Sequence, residues 1–423
     1  MALTKKAVLY LGLAYSFIGL ALVFRQPALT VFVIPIALIF FYSSLVSHIR
    51  TPNLTITRKL NPLRSFGGES IKVTLEVRNN LNVEINQLHL EDQVPSSLHL
   101  ETGSNSFSLS LKPLERTEHF YDISAPKRGR YTLGPAKATS MDLMHFRQYS
   151  VTTSGQSAVM ILPQVEDLGR VDVRAKRVGP WPGTIPSRNV GPGTEFFELR
   201  LYTSGDELRR INWKASARQA RLVTNEFETE RVTDVLVALD CSEKVLSSVF
   251  SFDAEEFEVN LAASLCSQLL LQGNRVGLLV YGAERTWVPP AFGKRQLLRI
   301  LSSLTITKAG RAIIPMGLAV ETIVNAVLPV RSVIVFISPL MGDEIVEVVR
   351  SVAGAGYSVI CVTPSMEPSP KDGSQSIALA RRILETERRI NLRQIASISK
   401  CIEVSPQTSI RILSRRGLAR KFN

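Results

Sequence analysis

The stretch "DVLVALDCSEK", Asp234 to Lys244, decides how the chain is read. From Val235 to Leu239 it is apolar without interruption, and it ends on Asp240. A short apolar run bounded by charge describes a strand buried on both faces. The pattern returns in "RVGLLVYG" (275–282), "RSVIVFIS" (331–338), "YSVICVT" (357–363) and "KCIEV" (400–404). Helical stretches intervene, such as "DAEEFEVNLAASLCSQLLLQG" (253–273), with Phe257, Leu261, Leu265 and Leu269 at i, i+4 spacing and Gly273 as a stop. Buried strands alternating with helices make a doubly wound α/β domain, expected over 233–423. Ligands of such sheets lie at the carboxyl ends of strands, where the strand order reverses. That directs attention to "DCSEK" and "SPLMGDE" (338–344).

Upstream the period changes to two. In "IKVTLEV", Ile71, Val73, Leu75 and Val77 alternate with polar neighbours, and "FSLSLKP" repeats this with Phe107, Leu109 and Leu111. Short alternating strands with frequent turn residues predict an antiparallel β-sandwich, Ig-like in kind, over 53–165. The five histidines, His48, His89, His99, His119 and His145, are dispersed at or before this region, so no metal cluster is expected there.

The N-terminus carries two uncharged apolar segments, Ala7 to Phe24 and Ala28 to Val46, separated by "RQP". Each has about the length needed to cross ~30 Å of hydrocarbon, so residues 1–50 are expected to form a transmembrane helical hairpin. A signal peptide is the competing reading, but no small-residue cleavage site follows the first segment. Lys5 and Lys6 precede the pair, and Arg50, Arg58, Lys59 and Arg64 follow it. This bias predicts a multi-pass protein of the cell membrane with its soluble domains in the cytoplasm. The four cysteines, set in apolar runs without metal-ligand spacing, read as free thiols of a reducing compartment.

At 423 residues the chain exceeds one ordinary core, and its composition, 45% hydrophobic and 21% charged, is globular. The net charge of +13 suits an anionic membrane surface; no aromatic platform accompanies it, so nucleic acid is not an expected partner. Between the two soluble domains, residues 166–232 read as a linker containing "RVGPWPGTIPSRNVGPGTEF" (177–196), which lacks the GK[ST] ending of a phosphate loop. No histidine occurs after His145, so the α/β domain cannot by itself build a Ser-His or Cys-His pair, and no enzymatic activity is expected.

The densest polar segment is "LRLYTSGDELRRINWKASAR" (199–218). Ser204 and Glu207 have capping-box spacing, which predicts a short helix from about Gly205. Leu208, Ile211 and Ala215 would share one face, and Arg209 would stack on Trp213 at i+4. Arg200, Arg209, Arg218 and Asp206 have the composition of an ion-pair network. Two readings stand side by side: the network docks the linker onto the α/β domain, or it is a charged surface for a partner protein.

This segment also carries a resemblance. Arg200, Tyr202, Gly205, Asp206, Arg209, Ile211, Trp213, Ser216, Ala217, Arg218 and Glu226 fall in the order of the signature of the domain of unknown function 58 family. The resemblance extends to an order of two membrane spans, a β-domain, the signature and a domain similar to von Willebrand factor A. It implies a membrane-anchored partner or adaptor of a MoxR-type AAA+ ATPase. In von Willebrand factor A domains the first strand ends in Asp-x-Ser-x-Ser, whose oxygens hold a divalent cation with a Thr and an Asp from later loops. Here Asp240 and Ser242 match, but Lys244 replaces the second Ser. "GRAIIPMGLAV" (310–320) offers no Thr, and Pro339 stands where the Asp belongs, with Asp343 displaced. The resemblance therefore implies a degenerate Mg²⁺ site, expected to be empty. The alternative function is a cation-dependent ligand receptor or hydrolase using the crevice at Asp240 and Ser242.

Overall fold

The computed structural model describes residues 2–46, 53–141, 145–153, 155–169, 171, 195–228, 234–242, 253–282, 285–310, 315–329, 332–365 and 375–404. The chain divides into two compact units, one essentially Met1–Gln164 and the other from Val165 onward.

The first unit holds the apolar helices and the period-two segments. Strands Leu54–Asn61, Ile71–Asn79, Arg116–Ser124 and His99–Thr102 form one antiparallel sheet in that order. Strands Arg147–Thr152, Ala136–Met141, Ile85–Asp92 and Ser106–Leu111 form a second, with Ala2–Leu3 at its edge. Ile71, Val73, Leu75 and Val77 from the first sheet share one core with Leu88, Leu90, Leu111 and Ala138 from the second. Alternation decides this, because every second side chain of a strand points the same way. A third, three-stranded sheet departs from the all-antiparallel expectation: Arg64–Phe66 runs parallel to Ser157–Leu162.

Across the core lies a buried polar network. Arg58 donates from Nε to Asp92 Oδ2 at 2.9 Å and from Nη2 to Asp92 Oδ1. Tyr121 OH donates to the same carboxylate at 2.6 Å. Arg58 Nη1 reaches Leu133 O at 3.1 Å and Gly155 O at 3.2 Å. One guanidinium thus ties together strands far apart in sequence.

Helix Lys5–Val23 is capped by Thr4, whose hydroxyl accepts from Ala7 N. It is the one described helix long and apolar enough by itself to cross a membrane. The second apolar segment differs from expectation: Pro27–Phe32 winds as 3₁₀ helix, leaving an α-helix of 14 residues, Val33–Val46. Proline at the first position, without an N–H to give, favours this tighter start. Tyr10 and Phe40, one from each helix, both pack on Phe146, with ring centroids 5.6 and 4.5 Å away.

In the second unit, β1 (Glu195–Leu201) and β2 (Val223–Glu228) form an antiparallel hairpin whose connection contains α1 (Trp213–Gln219). The α/β part then runs β3 (Asp234–Cys241), α2 (Ala254–Leu271), β4 (Arg275–Gly282), β5 (Thr286–Ala291), α3 (Gly293–Ile306), α4 (Met316–Val327), β6 (Val333–Ile337), α5 (Glu344–Gly354), β7 (Ser358–Pro364), α6 (Gln375–Ile398) and β8 (Lys400–Val404). The sheet order is β5-β4-β3-β6-β7-β8, parallel except for β5. Sequence reading overlooked β5 because "TWVPPA" holds two prolines, which a strand tolerates at the sheet edge. From β3 the chain builds outward to β5 and then returns to lay β6 on the other side of β3. The order therefore reverses between β3 and β6. Val235–Leu239 and Val333–Ile337 are buried throughout. Helix α2 is buried on nearly every side rather than along one stripe, from Ala254 to Leu270.

Candidate functional site

Two places in the second unit gather polar side chains: the hairpin connection and the carboxyl end of β3.

In the hairpin, Asp206 is the keystone. Its carboxylate accepts from Arg200 Nη1 at 3.0 Å and Nη2 at 2.9 Å, and from Thr203 N at 2.9 Å. Gly205, at φ +115°, makes the turn that brings Asp206 back onto Arg200. The Arg200 fork, followed by the Thr203 N–H, holds the Asp206 carboxyl down at about 2. A carboxyl depressed in the fold stabilises it above the ordinary value of 3.8, and that support is lost only as the pH falls through about 2.

The helix begins later than the capping-box spacing predicts. Glu207 is extended, Leu208–Arg210 is one 3₁₀ turn, and Asn212 caps α1 by accepting from Ala215 N at 3.0 Å. The Asp206 carboxylate takes the Thr203 N–H, which leaves Ser204 without a helix to cap. Ser216, buried, receives Val223 N at 2.9 Å and donates to Asn212 O at 2.8 Å, locking α1 against β2. Arg209, expected to stack on Trp213, instead donates from Nε to Glu207 Oε2 at 2.6 Å. The Arg200–Asp206 fork does not include Arg209 or Arg218. Ile211 is buried while Leu208 is 68% and Trp213 67% exposed, so the single apolar face expected for Leu208, Ile211 and Ala215 is not formed. Tyr202 donates its backbone N–H to Leu222 O at 2.8 Å, closing the connection. The backbone of Glu226 pairs with Glu198; its side chain lies outside the described residues.

At the carboxyl end of β3, Asp240 sits beside the reversal of strand order. Its Oδ2 accepts from Ser338 Oγ, at the end of β6, at 2.8 Å; its Oδ1 accepts from Ser242 N at 3.0 Å. Ser338 Oγ in turn accepts from Leu340 N at 3.1 Å. The carboxylate is thus spent on internal partners. Lys244, which stands in place of the second Ser, lies outside the described residues. Asp343 begins α5 without a side-chain cap bond. A Mg²⁺ ion asks for several free hard oxygens. Among the described residues no group of three or more Asp, Glu, His or Cys side chains is arranged to hold a metal. This donor set does not fit the cation that the von Willebrand factor A resemblance implies.

Sequence reading missed Glu258. It projects from α2, is 1% exposed, and neither carboxyl oxygen has a hydrogen-bond partner among the described residues. Burial first, then the Asp240 charge and more weakly Glu255, push its carboxyl well up; the Arg388 charge offsets part of this. A group whose pKa is raised by folding contributes most below its unfolded value, and stability is lost as the pH rises through the folded value. Glu258→Gln is therefore expected to stabilise the second unit at pH 7 and to leave it unchanged near pH 4.5. Thermal melts of both proteins at the two pH values test this; an equal shift at both would refute it.

Arg388 on α6 is the last buried ion of this edge. Its guanidinium reaches Pro339 O at 3.2 Å, Thr363 Oγ1 at 3.2 Å and Glu403 Oε1 at 2.8 Å, sealing the ends of β6, β7 and β8. Asn391, one turn on, donates to Leu340 O at 3.2 Å and Gly342 O at 3.0 Å.

Several solved structures are similar over parts of the chain. Native α2-macroglobulin of Escherichia coli, from domain MG7 to its C-terminus, matches with 18% identity and a TM-score of 0.24 over 27% of this chain and 17% of that one. The CARDB domain of a Pyrococcus furiosus protein in complex with di-metal ions matches with 15% identity and a TM-score of 0.19, over 27% of this chain and 97% of that one. Proximal thread matrix protein 1 of the mussel byssus, with a zinc-occupied MIDAS motif, matches with 13% identity and a TM-score of 0.29, over 44% and 43%. Scores this low decide nothing about the present chain. Among sequences, the uncharacterized protein YeaD of Bacillus subtilis is 22% identical over 275 residues, 64% of this chain and 67% of that protein. The uncharacterized protein Rv1480 of Mycobacterium tuberculosis is 30% identical over 132 residues, 30% of this chain and 40% of its own length. Residues 198–391, which begin within β1 and take in the whole hairpin connection and most of the α/β sheet, match the family described as protein of unknown function DUF58.

Proposed function

We propose that the chain is a non-enzymatic, membrane-anchored scaffold that binds another protein through its hairpin connection. The observation that carries this reading is the exposure of Leu208 and Trp213 on a segment whose other face is already secured by Asp206, Asn212 and Ser216. Leu201 and Leu222, at the base of the same connection, are also exposed. Trp and Arg dominate the energetics of protein interfaces, and Arg209 and Arg210 flank Trp213 here. The partner is an AAA+ ATPase of the MoxR type, and neither metal nor nucleic acid takes part.

The anchor is the N-terminal pair of helices, crossing twice so that both soluble units stay on the cytoplasmic face of the cell membrane. The packing of both helices on Phe146 supports a hairpin, and the basic residues at its two ends support its orientation. The first soluble unit is an Ig-like sandwich and the second a von Willebrand factor A-like domain without its cation. The alternative, a cation-dependent receptor or hydrolase at Asp240 and Ser242, lacks the free donors it needs among the described residues.

Leu208→Ala combined with Trp213→Ala is expected to weaken capture of a purified MoxR-type ATPase by the detergent-solubilised chain at least tenfold, with an unchanged melting temperature. Asp206→Ala, which releases the connection from Arg200, should weaken capture as well. Undiminished capture by both variants, or no capture by the unaltered chain, defeats the proposal.

A further inference from the structure

Two of the four cysteines stand side by side, away from the hairpin connection. Cys361 on β7 and Cys401 on β8 are register partners on neighbouring parallel strands. Paired residues of adjacent strands point to the same face of the sheet, with backbones about 4.8 Å apart. That separation lies inside the range a disulfide spans, about 4.4–6.8 Å between Cα atoms. Both side chains pack in the same apolar cluster, and Cys361 Sγ lies 3.7 Å from Ser399 Oγ. Cys361 is buried; Cys401 is partly exposed. β8 is a five-residue strand at the edge of the described sheet. The neighbouring Cys361 thiol, aided by the Arg388 charge, holds the Cys401 thiol below the ordinary value, while burial and Glu403 act against it. The same pairing, followed by burial, holds Cys361 well above it. A low-pKa, accessible thiol next to a resolving thiol is the arrangement that peroxides oxidise.

We propose that Cys361 and Cys401 form a peroxide-sensitive dithiol that closes to an intrachain disulfide. The Cys401 thiolate attacks one peroxide oxygen; the O–O bond breaks, hydroxide leaves and takes up a proton as water, and Cys401 becomes a sulfenic acid. Cys361 then gives up its proton and attacks the Cys401 sulfur, expelling the sulfenic oxygen as a second water as the S–S bond forms. Two thiols and one hydrogen peroxide yield one disulfide and two waters, the sulfurs losing the two electrons that the peroxide gains. A dithiol reductant reverses the change by exchange. The bond fastens the edge strand that supplies Glu403 to the strand that supplies Thr363, both partners of Arg388.

The full chain in detergent, treated with hydrogen peroxide, alkylated under denaturing conditions and mapped by mass spectrometry, tests this. The expected product is one Cys361–Cys401 cross-linked peptide, reversed by dithiothreitol, with Cys241 and Cys266 alkylated. Cys266, whose thiol burial pushes up, is the internal standard for an inert thiol. Cys401→Ser should leave Cys361 alkylated, and Cys241→Ser should keep the cross-link. The proposal fails if Cys401 is oxidised while Cys361 stays alkylatable, if Cys401 links two chains, or if Cys241 and Cys266 oxidise as fast.

Discussion

Asp92→Ala is expected to destabilise the first unit by about 3–5 kcal/mol, the largest effect of any single change considered for the chain. The Arg58 and Asp92 side chains are 4% and 0% exposed, so removal of the carboxylate leaves a guanidinium buried without its counter-charge. Tyr121 loses its acceptor at the same stroke, and burial together with the Asp92 charge shows how closely that hydroxyl is held, since both push its pKa up. Arg58 would keep only the carbonyls of Leu133 and Gly155 and the Ser157 hydroxyl, which carry no charge to balance it. Hydrogen exchange of the full chain, followed peptide by peptide, reads the first unit without assuming that both units melt together. Protection of Ile71–Asn79 and Arg116–Ser124 should fall while that of β3 and β6 stays unchanged. Arg58→Met added to Asp92→Leu should recover more than half of the loss, because apolar side chains of similar volume often replace a buried pair without cost. A loss under about 1 kcal/mol for Asp92→Ala would mean that the pair is not an important part of the sandwich.

The parts of this fold that were legible in the sequence are those that depend on periodicity. Ile71 to Val77 alternate because their strand has one dry face, and the burial along Ile71–Asn79 follows that alternation. Val235 to Leu239 do not alternate because β3 is covered on both sides. What periodicity cannot supply is a partner distant in sequence. Asp92 stands 34 residues from Arg58, and nothing local in "LHLED" marks its carboxylate as buried. Glu258 lay in plain view in "EEFEVNLAAS", but the charge it faces comes from the end of β3 and from α6. In the hairpin connection the error was one of competition. Ser204 and Glu207 have the spacing of a capping box, yet an Arg200 fork on Asp206 satisfies the turn first, and Asn212 caps the helix instead. Arg200, Asp206 and Ser216, which the signature singled out, do hold the connection together; Leu208, expected in a stripe with Ile211 and Ala215, and Trp213, expected under Arg209, face outward.

Arg388→Met is expected to cost the second unit about 3 kcal/mol and to change how Glu258 behaves. The direct loss is structural. Glu403 is left without its ion pair, and the Pro339 carbonyl and Thr363 hydroxyl lose a donor at a sheet edge that α6 covers. The indirect effect is electrostatic and has a definite sign. Arg388 is the positive charge that offsets burial and Asp240 at Glu258, so without it the Glu258 carboxyl holds its proton to still higher pH. Stability lost as the pH rises through the folded value is then lost over a wider window. Once the pH has risen through the Glu258 value of the unaltered chain, Glu258→Gln should accordingly stabilise the Arg388→Met protein by more than it stabilises the unaltered chain. Melting of the four members of this cycle measures the coupling between α2 and α6, with both single substitutions as controls. Strict additivity at every pH up to the alkaline limit of the fold would show that Arg388 and Glu258 do not sense each other, leaving Arg388 as a plug for three strand ends and nothing more.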